Sequence, residues 1–346
     1  MATRCRSSRG SKASGPRFRL SINRNSLMTY RFSPSQLGSA FALIAFATAM
    51  SALPQPAQAQ APATSQPASP AARNGHVDVA GAAIHYQVHG DLTSGRTPLL
   101  VLHGAFMSAD AMKPLVDPFV AGRPVIAIDA RGHGRSGGVD GPLSYDRMAD
   151  DAAAVLAKLG VKQADVLGYS MGASTAVALA VRHPDKVGKQ VILSGTSNLG
   201  GWYPEVLAGI AQITPTMFAG SPMEAEYKRL SPAPAKFAKL IDNIKALDAT
   251  PFGWPDAAIR AIPGKTMVII GDADGVTLDH AIALFKLRGG GDVAAATQGF
   301  LTAAPKARLA ILPATSHIGI MTEAPAVAAM VTAFLDDKVP PMPAGF

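Results

Sequence analysis

A serine between two glycines is the part of this sequence best suited to chemistry. Residues 168–172 read Gly-Tyr-Ser-Met-Gly, after an apolar run at 163–167 and before residues 173–183, which predict a helix ended by a proline. A strand, a sharp turn and a helix with Gly-x-Ser-x-Gly at the centre are typical of a nucleophile elbow. A strained turn lifts the hydroxyl of Ser170 clear of the backbone, and the N–H of Met171 is placed to face a developing oxyanion. We therefore interpret Ser170 as a candidate nucleophile.

Short apolar runs elsewhere predict the elements that hold this turn. Core strands are predicted at 98–102, 124–128, 163–167, 191–193, 267–270 and 310–312, and an alternating pattern predicts a further strand at 83–88. Helices are predicted at 145–159, 173–183 and 325–334. Short apolar strands that alternate with helices imply an α/β fold, with a mostly parallel central sheet and helices on both faces.

The alternation of strands and helices lapses between residues 195 and 263. This segment predicts helices and loops that are rich in large side chains, namely Trp202, Tyr203, Met217, Phe218, Met223, Tyr227, Phe237, Leu240, Phe252 and Trp254. We interpret residues 198–262 as a helical cap over a pocket, and we expect Trp202 and Trp254 to bind substrate there.

Four further motifs follow predicted strands and give the chain a family resemblance. They are His103-Gly104-Ala105-Phe106, the run Asp-Ala-Arg-Gly-His-Gly-Arg-Ser at 129–136, Gly271-Asp272-Ala273-Asp274, and Ser316-His317. Together with the elbow and the position of the cap, these motifs resemble the α/β-hydrolase fold from about Val77 to Asp337. The resemblance implies a core in two parts, 76–197 and 263–346, with the cap inserted after the sixth strand.

The resemblance also implies catalytic roles for three residues. In such enzymes the acid follows the strand after the cap and the histidine follows the last strand, so Ser170, Asp274 and His317 correspond to the nucleophile, the acid and the base. Asp272 is the alternative acid, although its place in the turn also suits bonding to backbone N–H groups. The spacing Gly-x-x-Asp favours Asp274.

The expected mechanism is acyl transfer to serine followed by hydrolysis. His317 takes the proton of Ser170, and the N–H groups of Ala105 and Met171 hold the oxyanion. Phe106 is the alternative to Ala105 as a donor, and we also expect it to contact substrate. This chemistry needs no metal and no organic cofactor.

The first 59 residues resemble a secretory signal peptide. Eight of the 32 Lys and Arg residues lie there with no Asp or Glu, followed by an apolar run at 37–53 and by Ala57-Gln58-Ala59, a small-x-small cleavage site. We expect cleavage near Ala59, a flexible linker at 60–75, and a periplasmic or secreted protein. A membrane anchor is the alternative, but the apolar run is shorter than the roughly 20 residues that span a membrane. A start at Met28 would give a signal of more ordinary length.

Charge and cysteine content restrict the partners of the exported chain. Beyond residue 59, the 24 remaining basic residues balance 24 acidic ones, so the net charge of +8 belongs to the leader and indicates no nucleic-acid partner and no stable membrane insertion after cleavage. Cys5, the only cysteine, also lies in the leader. The exported protein therefore has no disulfide, no thiolate metal site and no cysteine nucleophile.

These observations favour a hydrolase for a small, fairly apolar carboxylic ester or lactone. The neutral chain offers nothing to attract an anionic polymer, and the aromatic cap is typical of an enclosed apolar pocket. The alternatives are C–C bond hydrolysis, perhydrolysis or amide cleavage by the same residues, and a binding protein that keeps the fold without turnover.

Overall fold

The computed structural model describes residues 73–339, in which helices cover both faces of an eight-stranded sheet. The strands are β1 (Arg73–Val79), β2 (Ala82–His89), β3 (Leu99–Leu102), β4 (Val125–Ile128), β5 (Ala164–Tyr169), β6 (Val187–Leu193), β7 (Thr266–Ala273) and β8 (Ala307–Ser316). The helices are α1 (Lys113–Val120), α2 (Tyr145–Lys158), α3 (Met171–Arg182), α4 (Pro204–Ala211), α5 (Pro222–Leu230), α6 (Phe237–Ala249), α7 (Asp256–Ala261), α8 (Leu278–Leu287), α9 (Val293–Gln298) and α10 (Ala324–Leu335).

The sheet has the strand order β1-β2-β4-β3-β5-β6-β7-β8. The β1–β2 and β2–β4 pairs are antiparallel, and all other pairs are parallel. Four short helices, α4 to α7, lie between β6 and β7. The predicted fold class is confirmed, including the helical insertion after the sixth strand.

Alternate residues of the central strands supply two cores, one on each face of the sheet. Leu100 and Val166 pack on the face that α2 and α3 cover. Leu99 and Leu167, their neighbours in sequence, pack with residues of α1 and α10 on the other face. Because successive side chains of a strand point to opposite faces, a strand buried on both faces must be apolar throughout, which is why these strands were visible as continuous runs.

Polar residues directly follow four adjacent parallel strands. Ser170 follows β5, Ser194 follows β6, Asp274 follows β7 and His317 follows β8. The carboxyl ends of parallel strands meet at one edge of a sheet, so the topology brings these four positions together although they span 148 residues of sequence. This edge is where open α/β sheets bind ligands.

The cap is fixed to the core at several points. The Asn243 amide of α6 donates to the carbonyl oxygen of Val139, 2.6 Å away, and the Ser108 hydroxyl donates to Glu226 of α5. At the end of the cap, buried Arg288 donates to backbone carbonyl oxygens at 259, 262 and 264. Burial lowers the pKa of Arg288 to about 10, so the guanidinium stays charged at neutral pH.

The first strand begins at Arg73, inside the segment 60–75 that the sequence predicts as a linker, because residues 73–75 pair with residues 86–88 of β2. The predicted signal peptide, its cleavage site near Ala59 and most of the linker lie outside the described residues. Within residues 73–339, no helix is long and apolar enough to cross a membrane.

Candidate active site

The turn after β5 holds Ser170 in a backbone conformation that serine rarely adopts, with φ 54° and ψ −119°. Glycines on either side make this turn possible. A Cβ at Gly168 would lie 2.2 Å from the carbonyl oxygen of Gly172, and one at Gly172 would lie 2.1 Å from that of Leu102. Larger residues at these positions would therefore displace the turn from the sheet, which is the physical reason for the Gly-x-Ser-x-Gly pattern.

Three side chains form a continuous chain of hydrogen bonds at this edge of the sheet. The Ser170 Oγ lies 2.9 Å from Nε2 of His317, and Nδ1 of His317 lies 2.7 Å from Oδ1 of Asp274. With the imidazole proton on Nδ1, His317 donates to the carboxylate and accepts from the serine hydroxyl. The three residues predicted from the sequence as nucleophile, base and acid are thus in hydrogen-bond contact, in the arrangement that general-base activation of a serine requires.

The carboxylate of Asp274 is buried and fully hydrogen-bonded. Its Oδ2 accepts from the Ser194 hydroxyl, and its Oδ1 accepts from the backbone N–H of Val276 at 3.1 Å as well as from His317. Burial alone would raise the pKa of Asp274. The hydrogen bond and charge of His317, the Ser194 hydroxyl and the Val276 N–H outweigh burial and hold the pKa below its ordinary value. Asp274 therefore stays ionised at neutral pH.

Asp272, the alternative acid, makes different contacts. It is exposed, and its carboxylate accepts hydrogen bonds from the backbone N–H groups of Ala314 and Thr315 at 3.0 and 3.1 Å. These contacts lie where the register between β7 and β8 shifts, beyond Gly271. These hydrogen bonds show that Asp272 stabilises the irregular part of the β7–β8 pair.

The loop after β3 lies directly beside the serine. The N–H of Met107 donates to the carbonyl oxygen of Gly104, which closes a turn with Phe106 at φ 63°. An added Cβ at Gly104 would lie 3.1 Å from the ring of Tyr169 and 3.2 Å from Cβ of Ser170, so the turn packs against the elbow. Ala105, which lies between Gly104 and Phe106 in the sequence, is half-buried. This loop and the N-terminus of α3 at Met171 are the backbone segments that flank the serine hydroxyl.

The imidazole of His317 is held between two aromatic rings. Tyr169 stacks on it with ring centres 5.5 Å apart, and Trp202 meets it edge-on at 5.2 Å. The indole N–H of Trp202 is buried and has no hydrogen-bond partner within residues 73–339. A buried indole N–H normally finds an acceptor, so the N–H of Trp202 is an exception within this part of the chain.

The cap aromatics form two groups. Phe106 contacts Phe218 of the cap at 5.0 Å between ring centres, which links the loop beside Ser170 to the cap. Trp254 packs instead against Phe252 and Tyr145, at 5.9 and 6.4 Å. The aromatic contacts of Trp254 thus involve neither Phe106 nor the ring of His317.

His103, in the loop after β3, and His133, in the loop after β4, have structural roles. Nε2 of His103 accepts from the N–H of Ala130 at 2.9 Å, and the ring of His133 lies 5.3 Å from that of His103. Burial lowers the pKa of His133 to about 3 and also lowers that of His103, so both are neutral. His280 likewise accepts from the N–H of Ser197 at 3.0 Å. Within the described part of the chain, no group of three or more His, Cys, Asp or Glu residues has the geometry of a metal site.

Two residues at the site were not identified from the sequence. Ser194 contacts the carboxylate of Asp274, and Tyr169 contacts His317 through both its ring and its hydroxyl. The available indication for Ser194 was its position as a polar residue directly after a predicted core strand. No sequence pattern indicates the role of Tyr169, because its partner His317 is 148 positions away.

Known proteins share sequence with parts of this chain. A putative carbamate hydrolase, RutD of Caulobacter segnis, is 39% identical over 116 residues, which are 33% of this chain and 43% of that protein. The chain thus spans less than half the length of this relative. The 2-hydroxymuconate semialdehyde hydrolase of Pseudomonas sp. strain CF600 is 32% identical over 206 residues, which are 51% of this chain and 70% of that protein.

A solved structure shares the fold of this chain, and a family model matches its sequence. The crystal structure of the enol-lactonase from Burkholderia xenovorans LB400 covers 75% of this chain and 99% of its own, with a TM-score of 0.56 and 21% identity, which shows a shared fold. Residues 99–330 match the model of the alpha/beta hydrolase family, and this match includes the elbow, the cap and the loop that carries His317. The chain is therefore a member of the alpha/beta hydrolase family.

Proposed function

We propose that this protein is a serine hydrolase that cleaves a small, fairly apolar carboxylic ester or lactone through an acyl-enzyme. The observation that carries the proposal is the continuous chain of hydrogen bonds from the Ser170 hydroxyl through His317 to the buried carboxylate of Asp274. A serine held at a strained elbow and aligned with a base is the arrangement used for nucleophilic attack on a carbonyl.

The proposed reaction proceeds in two halves. Ser170 Oγ attacks the carbonyl carbon while its proton passes to Nε2 of His317, and the imidazolium then gives that proton to the departing alcohol oxygen. Asp274 fixes the imidazole tautomer and stabilises the imidazolium. Water, deprotonated by the same histidine, attacks the acyl-enzyme and releases the acid and free Ser170. The N–H groups of Ala105 and Met171 are the proposed oxyanion donors, with Phe106 as the alternative to Ala105.

The surroundings of the serine support an apolar substrate. Phe106 lies in the loop beside Ser170, Phe218 packs against Phe106, and Trp202 meets the ring of His317. Pockets that are largely apolar, with a few placed polar groups, suit small uncharged ligands. The fold that the chain shares with the enol-lactonase is consistent with lactone or ester cleavage.

Hydrolysis of a C–C bond is the second candidate. It is favoured by the similarity to a 2-hydroxymuconate semialdehyde hydrolase, which extends over 70% of that protein. The same serine and histidine serve either reaction on this fold, so the substrate distinguishes them.

A labelling experiment tests whether Ser170 is an active nucleophile. The wild-type protein should react covalently with a fluorophosphonate probe, whereas Ser170→Ala should not. Ser174→Ala is the matched control, since this serine lies one turn further along α3 and points its Oγ at the N–H of Thr196. A folded wild-type protein that stays unlabelled would support the binding-protein alternative and contradict the proposal.

A substrate panel then distinguishes the bond types. We expect p-nitrophenyl esters of short acyl chains or simple lactones to be turned over faster than 2-hydroxymuconate semialdehyde or amides. Faster cleavage of the semialdehyde would replace the ester or lactone assignment with C–C bond hydrolysis.

Export is a separate proposal that rests on the sequence of the leader. We propose that the protein is periplasmic or secreted and begins near Gln60, after Ala57-Gln58-Ala59. N-terminal sequencing of protein from the periplasm or the medium tests this. A full-length form that stays with the membrane fraction would favour the anchor.

A further inference from the structure

Ser194 completes a row of four polar residues at the carboxyl edge of the sheet. It directly follows β6, between Ser170 after β5 and Asp274 after β7. Its side chain is fully buried, and its hydroxyl donates to Oδ2 of Asp274. The proposed catalytic steps do not use this buried hydroxyl, so its position needs a separate explanation.

The two oxygens of the Asp274 carboxylate have separate partners. Oδ1 accepts from Nδ1 of His317 at 2.7 Å and from the Val276 N–H at 3.1 Å, whereas Oδ2 faces the Ser194 hydroxyl, with the Gly271 N–H at 3.4 Å. The two oxygens move together when the carboxylate rotates, so a rotation that turns Oδ1 away from His317 also breaks the bond between Oδ2 and the Ser194 hydroxyl. The Ser194 hydroxyl therefore resists the rotation that would turn Oδ1 away from His317.

The backbone of Ser194 supports a functional reading. Its φ is 52°, in the left-handed region that residues with a Cβ rarely adopt, and its N–H donates to the carbonyl oxygen of Ile269 at 2.8 Å. Glycine would adopt this conformation without strain but has no hydroxyl. Strained residues of this kind cluster at functional sites, where the surrounding structure enforces them.

We propose that Ser194 is a positioning residue of the hydrolytic reaction, whose hydroxyl holds the Asp274 carboxylate in the orientation that presents Oδ1 to His317. The proposal rests on the Ser170–His317–Asp274 mechanism proposed above. Ser194 acts through the carboxylate and contacts no reacting atom. It differs from a merely structural hydroxyl because its loss must change the titration of the Asp274 carboxylate as well as the rate.

Two substitutions of Ser194 test the proposal. Ser194→Ala removes the hydroxyl and keeps the Cβ, and Ser194→Gly removes the hydroxyl in a residue that suits φ 52°. The kcat for the best ester of the panel should fall about tenfold or more in both, as expected for the loss of a hydrogen bond to a charged group. KM should stay within about twofold of wild type, because Ser194 does not touch substrate.

The pH profile separates positioning from general destabilisation. Without the Ser194 donor, the negative charge on the carboxylate is less stabilised, so the Asp274 carboxylate takes up a proton at a higher pH. The acid limb of kcat/KM should therefore move to higher pH in both variants. Ser136→Ala is the matched control, since this buried hydroxyl donates to the carbonyl oxygen of Asp129, away from Asp274. It should lower thermal stability and leave the acid limb in place.

The outcomes for Ser194 and for the mechanism can be told apart. If wild type is labelled at Ser170 but Ser194→Gly keeps the wild-type kcat and acid limb, the role of Ser194 is refuted and the triad stands. If wild type is not labelled at all, the proposed mechanism fails, and the role of Ser194 fails with it. A loss of kcat with a displaced limb in both variants supports the proposal, including when Ser194→Ala folds less well than Ser194→Gly.

Discussion

The hydroxyl of Tyr169 donates a hydrogen bond to the backbone carbonyl oxygen of His317, 2.9 Å away. The same side chain stacks on the imidazole with an angle of 26° between the rings. Burial, and then the charge of Asp274, raise the pKa of Tyr169, so the hydroxyl keeps its proton and remains a donor at all ordinary pH values. Because Tyr169 immediately precedes Ser170, its side chain connects the turn that carries Ser170 to the loop that carries His317.

Removal of this hydroxyl should slow the reaction without weakening substrate binding. In Tyr169→Phe the ring still stacks on His317, but its loop loses one neutral hydrogen bond, for which we expect a fall in kcat of about three- to tenfold. Steady-state kinetics at saturating ester, with KM unchanged, would check this. Tyr227→Phe is the matched control, since it removes a hydroxyl that donates to the carbonyl oxygen of Ala233 within the cap. Equal kcat in Tyr169→Phe and wild type would contradict the prediction.

Asp272, near the end of β7, and Asp274, directly after it, should respond differently to the same substitution. Asp274→Asn keeps the shape of the side chain but removes the charge beside His317 and favours the wrong tautomer, so kcat should fall by about ten-thousand-fold. Asp272→Asn changes an exposed carboxylate that bonds to backbone N–H groups at 314 and 315, and it should keep most activity. Kinetics of the two purified variants at pH 7 would decide. The reverse pattern would make Asp272 the acid.

Much of the fold was predictable because the central strands are buried on both faces. The run at 124–128 predicted β4 to within one residue, since every residue of that strand must be apolar. The edge strand β8 was predicted only at 310–312, whereas it extends over Ala307–Ser316. Many residues of β8 are exposed, so an apolar pattern marks only part of its length.

The candidate site was predictable where a motif follows a strand, and not where tertiary packing decides. Ser170 could be placed from its turn between a strand and a helix, and Asp274 and His317 from the family resemblance, which implies an acid and a histidine at those positions after strands. The contact of Ser194 with Asp274 could not, because a serine after a strand often has no role beyond the turn. The separate grouping of Trp202 and Trp254 was also unpredictable, since it depends on how the cap helices pack.

A buried aspartate should make the protein less stable in acid. Burial raises the pKa of Asp129, but contact with His85 and hydrogen bonds from the N–H groups of Ala109 and Arg135 outweigh burial and hold it well below its ordinary value. A lowered pKa in the folded state stabilises the fold above about pH 4, the value of an unfolded aspartate, and this contribution is lost as the pH falls further.

The variant Asp129→Asn tests this dependence. Its amide can accept from only one of the two N–H groups through its oxygen, so stability at pH 7 should fall by about 1–3 kcal/mol. The decrease in melting temperature between pH 5 and pH 3 should also be smaller than in wild type. Asp117→Asn, at an exposed position on α1, is the control and should leave both quantities unchanged. An undiminished acid transition in Asp129→Asn would show that other carboxylates cause it.

The two tryptophans should differ in their effect on substrate choice. Trp202 is 8% exposed and meets the ring of His317, whereas Trp254 packs against Phe252 and Tyr145. Trp202→Phe replaces the indole with a smaller ring and creates space beside the histidine, so kcat/KM should fall for short esters and the optimum should move to longer chains. Each further methylene that the enlarged pocket buries contributes up to about 0.8 kcal/mol, or roughly fourfold in kcat/KM.

Trp254→Phe is the matched comparison, and the measurement is kcat/KM over p-nitrophenyl esters of increasing acyl length. We expect its optimum to stay at the wild-type chain length, and both variants to remain reactive to the fluorophosphonate probe because Ser170 and His317 are unchanged. An equal shift in the two variants would mean that Trp254 also lines the pocket, as the sequence predicts. No shift in Trp202→Phe would contradict the placement of the substrate against Trp202. Rapid hydrolysis of an insoluble polyester or a long-chain triglyceride, with little action on soluble short esters, would contradict an enclosed pocket altogether.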